Sequence, residues 1–174
     1  MPRLLAPTVE LHHSWLESRD EWGRDVFQHG SGMSDAYDLD SREGFADWVE
    51  LLRRRSDTSV PADPGFVHAT YWWIVEDDDY LGAITLRHEL NDFLLDAGGH
   101  IGYSVRPSAR RRGLASWALA EVLVRAREIG LERVLITCDD DNVASARTIE
   151  RHAGVLEDVR DTSLGRTRRY WIAL

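Results

Sequence analysis

A strand–turn–helix–strand succession in the second half of the chain places the strongest constraint on its fold. The apolar stretch His100–Val105 stops at Pro107, and a helical pattern begins after Gly113 and ends at Gly130. A short apolar run, Val134–Cys138, follows and is typical of a buried central strand. Because a crossover helix joins strands that run parallel, the sequence predicts a mixed α/β sheet with at least one parallel crossover.

Further elements are predicted on both sides of this unit. Charge and apolar patterns favour two helices at the front of the chain, Ser14–Gln28 and Ser41–Arg55. Val67–Val75 and Leu81–His88 predict a hairpin, since both are rich in β-branched and aromatic residues and an acidic turn separates them. The remaining predictions are a helix with Asn142 as its N-cap and two closing strands, Val155–Arg160 and Arg169–Ala173.

The charge composition excludes several classes of site. All 21 basic residues are arginine, and the 30 acidic residues bring the formal net charge to −9. The absence of lysine excludes a P-loop lysine, a Schiff-base lysine and a kinase-type catalytic lysine. The acidic balance argues against a nucleic-acid binder, because phosphate neutralisation needs clustered excess positive charge. Residues 1–65 hold 13 acidic residues and 7 arginines, so the acidic excess is concentrated at the front.

The cysteine, histidine and hydropathy patterns indicate which cellular compartment and which kinds of site are expected. Cys138 is the only cysteine, so no intrachain disulfide can form, which fits a reducing compartment. Its place on a buried strand predicts a small core residue rather than a nucleophile. The 7 histidines show no metal-ligand spacing, so no metal is expected. No signal peptide or membrane-spanning run is recognisable, and the sequence predicts a cytoplasmic protein with no membrane partner.

The turn that precedes the long helix concentrates positive charge in an acidic chain. Four of the seven residues from Arg106 to Arg112 are arginine. Backbone N–H groups at a helix N-terminus favour anions, and Gly113 lets a ligand approach the backbone closely. Positive charge there opposes the helix dipole and costs stability unless an anion offsets it. A diphosphate would satisfy both the arginines and the amides, and the alternative is a solvated arginine cluster.

At these residues the chain resembles the GNAT superfamily of N-acetyltransferases. That family's acyl-CoA motif, Arg/Gln-x-x-Gly-x-Gly/Ala after a strand, corresponds to Arg110–Ala115, and the resemblance continues through residues 142–154. The segments HIGYSVRPSARRRG, LITCDDDN and RRYWI are similar to a poorly characterised group of predicted bacterial acetyltransferases. The resemblance implies a GNAT-like α/β fold: a mixed, mostly antiparallel central sheet with a splayed parallel strand pair and flanking helices. It also implies one domain over residues 1–174, with 1–65 an acidic two-helix acceptor-side segment and 66–174 the acetyl-CoA-binding core.

The resemblance further implies how acetyl-CoA, as co-substrate, is held. Backbone amides from Arg111 through Ala115 would bind the CoA diphosphate, and the main chain of Tyr103 and Val105 would pair with pantetheine as an added strand. The amide of Val105 would also polarise the thioester carbonyl. The residues expected to bind the co-substrate are Val105, Arg110, Arg111, Arg112, Gly113, Leu114, Ala115, Ser116, Asn142 and Ser145.

Catalysis by direct acetyl transfer to a primary amine, with no covalent enzyme intermediate, needs a base and an acid. His100 is the candidate base, where many relatives carry Glu, and the alternative is a structural histidine that caps the Gly98–Gly99 loop. Ile149 occupies the position at which many GNAT enzymes place a tyrosine that protonates the thiolate. Tyr103, Tyr170 or solvent would take over that role.

Three functions remain open at this point. The first is an N-acetyltransferase that acts on a small molecule or peptide, and the acidic front favours a cationic amine acceptor. The second is an acyl-CoA-binding regulatory or partner-binding module with a degenerate active site, which the missing tyrosine favours. An arginine-mediated nucleic-acid binder is the weakest. A homodimer is expected from the habit of the family.

Overall fold

All strands of the protein belong to one sheet. The computed structural model describes all 174 residues. Its strands are β1 (Arg3–Leu5), β2 (Ala69–Glu76), β3 (Asp79–Arg87), β4 (Ile101–Val105), β5 (Arg133–Asp139), β6 (Val155–Thr162) and β7 (Gly165–Ala173). The α-helices are α1 (His12–Trp22), α2 (Arg42–Ser56), α3 (Leu114–Glu128) and α4 (Val143–Arg151).

The strand order confirms the predicted fold class. Along the sheet the strands lie in the order β1-β2-β3-β4-β5-β7-β6. Every neighbouring pair is antiparallel except β4 and β5, which run parallel and are joined through α3. The fold is therefore α/β, with a mostly antiparallel sheet, one parallel pair and flanking helices.

The parallel pair is splayed, as the sequence resemblance implies. Strands β4 and β5 share a single register position, Ile101 opposite Ile136. On its other edge β4 stays paired with β3 as far as Val105. Strands β4 and β5 therefore diverge toward their C-terminal ends and leave a gap in the middle of the sheet.

Each face of the sheet carries its own hydrophobic core. Helices α3 and α4 cover one face through buried residues that include Leu119, Val122, Ile136 and Ile149. Helices α1 and α2 cover the opposite face, where a cluster of buried aromatic side chains includes Trp15, Phe45, Trp48 and Trp73. The gap between β4 and β5 therefore opens onto the layer of α3 and α4 on one face of the sheet and onto the aromatic-rich layer of α1 and α2 on the other.

The end of α1 differs most from the sequence prediction, and one strand was not predicted. Helix α1 ends at Trp22 instead of Gln28, because Gly23 adopts a φ of 98° and donates its N–H to the Arg19 carbonyl. Residues 23–41 therefore form a connecting segment that reaches β4. Strand β1, Arg3–Leu5, was missed because three residues are too few to show a periodic pattern.

His100 ties the parallel strands together just before the gap. Its N–H donates to the Leu135 carbonyl at 2.7 Å, and its ring Nδ1 accepts the Leu135 N–H at 2.9 Å. The side chain is buried, and burial, assisted by the positive charges of Arg87 and Arg133, lowers the pKa of His100 to about 4. A neutral, engaged imidazole supports the structural role that the sequence left open for His100 rather than that of a base.

The depressed pKa of His100 predicts a specific pH dependence of stability. An unfolded imidazole, with an ordinary pKa near ~6.5, binds its proton at higher pH than the folded one. The free energy of unfolding therefore falls as the pH is lowered from about 6.5 to about 4, at up to ~1.4 kcal/mol per pH unit. His100→Asn keeps an acceptor near the position of Nδ1 but does not titrate, so its unfolding free energy should fall less steeply.

Urea unfolding of both proteins across this pH range measures the difference. Other titrating groups are common to the two proteins and cancel in the comparison. Parallel curves of unfolding free energy against pH would contradict the predicted role of His100.

Candidate active site

A cleft of about 470 Å³, including space open to solvent, lies where β4 and β5 diverge. It brings together Tyr103, Asn142 and Ser145, three residues that the sequence placed in the site. The full lining is His29, Ala97, Ile101, Gly102, Tyr103, Thr137, Cys138, Asp139, Asn142, Ser145, Leu164 and Thr167.

The cleft passes through the sheet from one face to the other. Tyr103 and Cys138 pack with the core beneath α3 and α4. Because side chains alternate along a strand, Gly102 and Thr137 point to the opposite face. We call the two halves the α4 side (Tyr103, Cys138, Asn142, Ser145) and the loop side (His29, Ala97, Gly102, Thr137, Thr167). A molecule bound on the α4 side and another on the loop side would meet within the gap.

A hydrogen bond between Tyr103 and Ser145 spans the α4 side. The phenol oxygen lies 2.8 Å from Ser145 Oγ. Asn142 Oδ1 accepts the Ser145 N–H at 3.1 Å, which confirms Asn142 as the N-cap of α4. Burial raises the pKa of Tyr103 to about 12, so the phenol keeps its proton at neutral pH.

The main chain of β4 presents hydrogen-bonding groups to the gap. In an antiparallel ladder, alternate residues bond to the neighbouring strand. Arg106 donates its N–H to the Leu81 carbonyl at 2.8 Å, and the register from β3 to β4 is uninterrupted. The N–H and C=O groups of Tyr103 and Val105 therefore face away from β3, toward the gap, where the Val105 carbonyl accepts the Arg110 Nε–H at 3.3 Å and the other groups can pair with an added strand.

The turn before α3 exposes a run of unpaired amides. The backbone N–H groups of residues 111–116 meet no acceptor within the protein. Gly113 has a φ of 78°, and a Cβ built on it would find no atom within 4 Å. Leu114 buries its side chain in the core, so only its backbone faces outward. Left-handed backbone, open space and free amides suit a bound phosphate group.

One arginine of the turn is held by α1 rather than left free. Arg106 Nε donates to Glu21 Oε1 at 2.7 Å, and the Ser108 N–H donates to the same carboxylate at 3.0 Å. Burial alone would raise the pKa of Glu21, but the bonds from Ser108 and Arg106 outweigh it and lower that pKa. The acidic front of the chain thus supplies a counter-charge to the turn.

The contacts of the other arginines correct the expectation that a bound anion must offset the positive charge of the whole arginine cluster. Arg112 forms an ion pair with Glu76 and lowers the pKa of that carboxyl. Arg110 lies over the Trp22 ring, 4.4 Å from its centroid. Arg111 is exposed and has a φ of 61°. Protein groups therefore engage Arg106, Arg110 and Arg112, and the backbone amides are the better-presented anion-binding groups.

Three further residues named from the sequence are engaged outside the cleft. Ser116 Oγ lies 2.9 Å from His152 Nε2, so the extra donor expected for a phosphate already has a partner. Tyr170 donates its hydroxyl hydrogen to Glu150 Oε1 at 3.1 Å and does not line the cleft. His100 is bonded to Leu135, as described above, and is also absent from the lining.

Sequence reasoning missed the loop side of the cleft. His29 follows a segment assigned to a helix, and Thr137 and Thr167 carry no motif. Each reaches the cleft through long-range packing, which periodicity does not reveal. The Gly30-Ser31-Gly32 break in the sequence was the one local signal that a loop lies beside His29.

Cys138 borders the cleft without the environment of a nucleophile. Burial raises the pKa of its thiol to about 11, so the sulfur stays protonated at neutral pH. This agrees with the interpretation of Cys138 as a small core residue.

Two other kinds of feature, a metal-binding cluster and a membrane-spanning helix, are absent from the structure. No three His, Cys, Asp or Glu side chains converge in a way that could hold a metal ion. None of the helices has the length and apolar character needed to span a bilayer.

Solved structures share the fold over almost the whole chain. The chain is similar to the microcin C7 self-immunity acetyltransferase MccE in complex with acetyl-CoA and AMP, with a TM-score of 0.73 and 15% identity over 99% of this chain and 92% of that one. It is also similar to Mycobacterium smegmatis RimJ in complex with CoA-disulfide, with a TM-score of 0.73 and 17% identity over 99% and 81% of the two chains. A Salmonella typhimurium acetyltransferase that modifies the N-terminal serine of a 50S ribosomal subunit protein gives a TM-score of 0.68 and 18% identity over 99% and 95%.

The family follows from the sequence itself. No curated protein matches the chain significantly. Residues 39–154 match the family model described as the acetyltransferase (GNAT) domain. Because this match covers most of the chain, the protein belongs to the GNAT acetyltransferases, enzymes that use acetyl-CoA as co-substrate.

Proposed function

We propose that this enzyme transfers the acetyl group of acetyl-CoA directly to a primary amine of a small molecule or peptide, without a covalent enzyme intermediate. The observation that carries the proposal is the cleft that passes through the sheet at the gap between β4 and β5. Gap-facing backbone groups of β4 border one side of it, and the loop side that carries His29 borders the other.

The α4 side fits acetyl-CoA. The free amides of residues 111–116 bind the diphosphate, and the exposed guanidinium of Arg111 adds positive charge beside it. The gap-facing main chain of Tyr103 and Val105 pairs with the pantetheine amides. The Val105 N–H then lies where it can polarise the thioester carbonyl and stabilise the charge that develops on its oxygen.

Direct transfer is supported by the state of the nucleophiles in the cleft. A covalent acyl-enzyme requires a nucleophile activated by a neighbouring base or by a lowered pKa. The pKa of Cys138 is raised instead, and the Ser145 hydroxyl is bonded to a neutral phenol. Neither group is activated, so the amine itself attacks the acetyl carbon.

Tyr103 supplies the proton that the departing thiolate needs. Ile149, in the usual tyrosine position on α4, is buried in the core and carries no proton to give. Tyr103 delivers a hydroxyl to the same side of the cleft from β4, held by Ser145. Of the tyrosines considered from the sequence, it is the one that lines the cleft.

The acceptor is an amine that enters from the loop side. Asp139 is the one carboxylate in the lining, and its charge favours a cationic acceptor. Much of the other acidity at the front is paired: Glu21 meets Arg106, and Asp40 meets Arg19 at 2.9 Å. One similar acetyltransferase modifies the N-terminal serine of a ribosomal protein and another is a microcin C7 self-immunity enzyme bound to acetyl-CoA and AMP, so we propose an amine of either a peptide or a small molecule.

We further propose that residues 1–174 act as one domain of a bacterial, cytoplasmic enzyme. The front segment contributes β1 and α1 to the same fold, and the free thiol of Cys138 suits a reducing compartment. A homodimer stays a prediction from the habit of the family.

The competing function is an acyl-CoA-binding module without turnover, which Ile149 in the usual tyrosine position favours. Release of free CoA from acetyl-CoA, measured with polyamines, amino acids, aminoglycosides and serine-initiated peptides, separates the two. The proposal expects at least one amine to accelerate CoA release above the rate without acceptor. Tight acetyl-CoA binding with no acceleration by any amine would establish the binding module instead.

Substitution at Gly113 tests the diphosphate site. In Gly113→Asn the fold tolerates the change, since asparagine accepts left-handed backbone and the space above the residue is open. The added side chain blocks the approach of a phosphate, so the Kd for acetyl-CoA should rise at least ~10-fold, about 1.4 kcal/mol.

Gly130→Asn is the matched control, measured by calorimetry alongside it. Gly130 also has a positive φ, 89°, and open space around it, but it lies at the far end of α3. Equal acetyl-CoA affinity in the Gly113 variant and the control would show that the diphosphate does not bind at this turn.

The proton donor is tested by the pair Tyr103→Phe and Tyr170→Phe. Loss of the Tyr103 hydroxyl should lower kcat by about 10²-fold, a typical contribution of acid–base catalysis, with little effect on acetyl-CoA affinity. Tyr170→Phe should leave kcat near the wild-type value, because its hydroxyl is bonded to Glu150 outside the cleft. An unchanged kcat in Tyr103→Phe would assign the thiolate proton to solvent.

A further inference from the structure

His29 provides the only imidazole in the lining of the cleft. It is exposed and lies on the loop side, opposite the Tyr103–Ser145 pair. The segment that carries it, residues 23–41, connects α1 to α2 and reaches β4 at the gap. No sequence motif points to His29, and its place in the cleft comes entirely from the packing of this segment.

Contact between two glycines fixes the segment beside His29 against the sheet. Gly30 has a φ of 77°, and a Cβ on it would lie 2.2 Å from the Gly102 carbonyl oxygen. Thr85 on β3 donates its hydroxyl hydrogen to the Gly30 carbonyl at 2.5 Å. The backbone next to His29 therefore touches the strand that borders the gap, with no side chain between them.

The residues on both sides of His29 are buried and hydrogen-bonded. Ser31 Oγ donates to the Gln28 carbonyl at 2.6 Å, and both residues are almost fully buried. Trp48 on α2 donates its Nε1–H to the Gly32 carbonyl at 2.9 Å. A rigid backbone thus presents one exposed imidazole to the cleft, with the Phe27 ring edge-on at 5.2 Å.

The groups that face His29 across the cleft leave it as the best-suited base. Tyr103 and Cys138 are protonated at neutral pH, and the half-buried Arg87 behind Gly102 donates to the Gly98 carbonyl at 3.0 Å. Asp139 is the remaining ionisable group of the lining. Histidine is the side chain that most often serves as a general base in enzymes, so the imidazole of His29 is the better candidate of the two.

We propose that His29 contacts the acceptor amine and removes its proton, so that the base of this enzyme comes from the α1–α2 segment instead of β4. The inference deepens the proposed function and rests on it. Asp139, across the cleft, attracts the ammonium form of the acceptor and thereby helps to seat it.

The proton and bond changes balance without any further reactant. The ammonium gives one proton to the His29 imidazole, which later returns it to solvent. The amine lone pair forms the C–N bond to the acetyl carbon, and the C–S bond breaks with its electron pair on sulfur. The second proton lost from nitrogen compensates the one that the thiolate takes up from Tyr103 or from water.

Kinetics of His29→Gln and His29→Ala test the proposal, with a serine-initiated tripeptide and spermidine as acceptor probes. We expect kcat/KM to fall at least ~10²-fold in both variants, while calorimetry gives an unchanged Kd for acetyl-CoA. The rise of kcat/KM with pH across the imidazole range should disappear. Added imidazole should restore part of the activity of His29→Ala, which a merely structural residue would not allow.

His13→Gln is the matched control, since His13 is an exposed histidine of α1 that pairs only with Glu17. Its kcat/KM and pH profile should equal those of the wild type. In histidine-selective NMR spectra of the CoA complex, titration with an accepted amine should move the His29 signals and leave those of His13 in place.

The outcomes distinguish a failure of the proposed function from a failure of the role of His29. A wild type that binds acetyl-CoA but acetylates no amine overturns the proposed function and, with it, the role of His29. A wild type that acetylates an amine, together with His29 variants of unchanged kcat/KM and pH profile, overturns the role of His29 alone. Unmoved His29 signals with an amine that is turned over would have the same meaning.

Discussion

The site depends on a sheet that is joined at one point and open beyond it. Strands β4 and β5 meet at Ile101 and Ile136, and His100 bonds both the N–H and the C=O of Leu135 just before that point. If the two strands paired along their full length, no cleft would cross the sheet. If they did not pair at all, Tyr103 and Cys138 would lose their fixed separation. The buried, neutral imidazole of His100 therefore has an architectural role, because it helps to fix the point at which the two strands part.

At the arginine-rich turn, the side chains are held by ion pairs, whereas the backbone amides are left unpaired. The carboxylates of Glu21 and Glu76 hold Arg106 and Arg112, so the turn is stable before any ligand arrives. The amides of residues 111–116 stay unpaired and are the groups that we propose to bind the diphosphate. A positive turn in a chain of net charge −9 is thus stabilised by carboxylates of the fold itself.

Local patterns in the sequence were sufficient for most elements of the fold, and the GNAT resemblance supplied the expected CoA-binding residues. The strand–turn–helix unit and the N-cap at Asn142 depend on residues close together in the chain, so periodicity and capping rules find them, whereas the gap-facing main chain of Val105 was expected only from the resemblance. The hydrogen bonds of His100 and the position of His29 beside β4 depend on residues that are distant in the sequence. Leu135 lies 35 residues after His100, and the partner of Arg106, Glu21, lies 85 residues before it. Such pairings exist only once the sheet and its two helical layers are assembled.

The contact between Gly30 and Gly102 has a consequence for the evolution of acceptor choice. A side chain on Gly30 would overlap the Gly102 carbonyl and push the α1–α2 segment off the sheet, whereas a Cβ on Gly102 would press against the Gly30 nitrogen at 3.2 Å. If the acceptor occupies the loop side, as proposed, changes in its preference fall on exposed rim positions such as Leu164 of the lining and Phe27, which packs against His29. A library aimed at a new acceptor should keep the glycine pair fixed and randomise that rim.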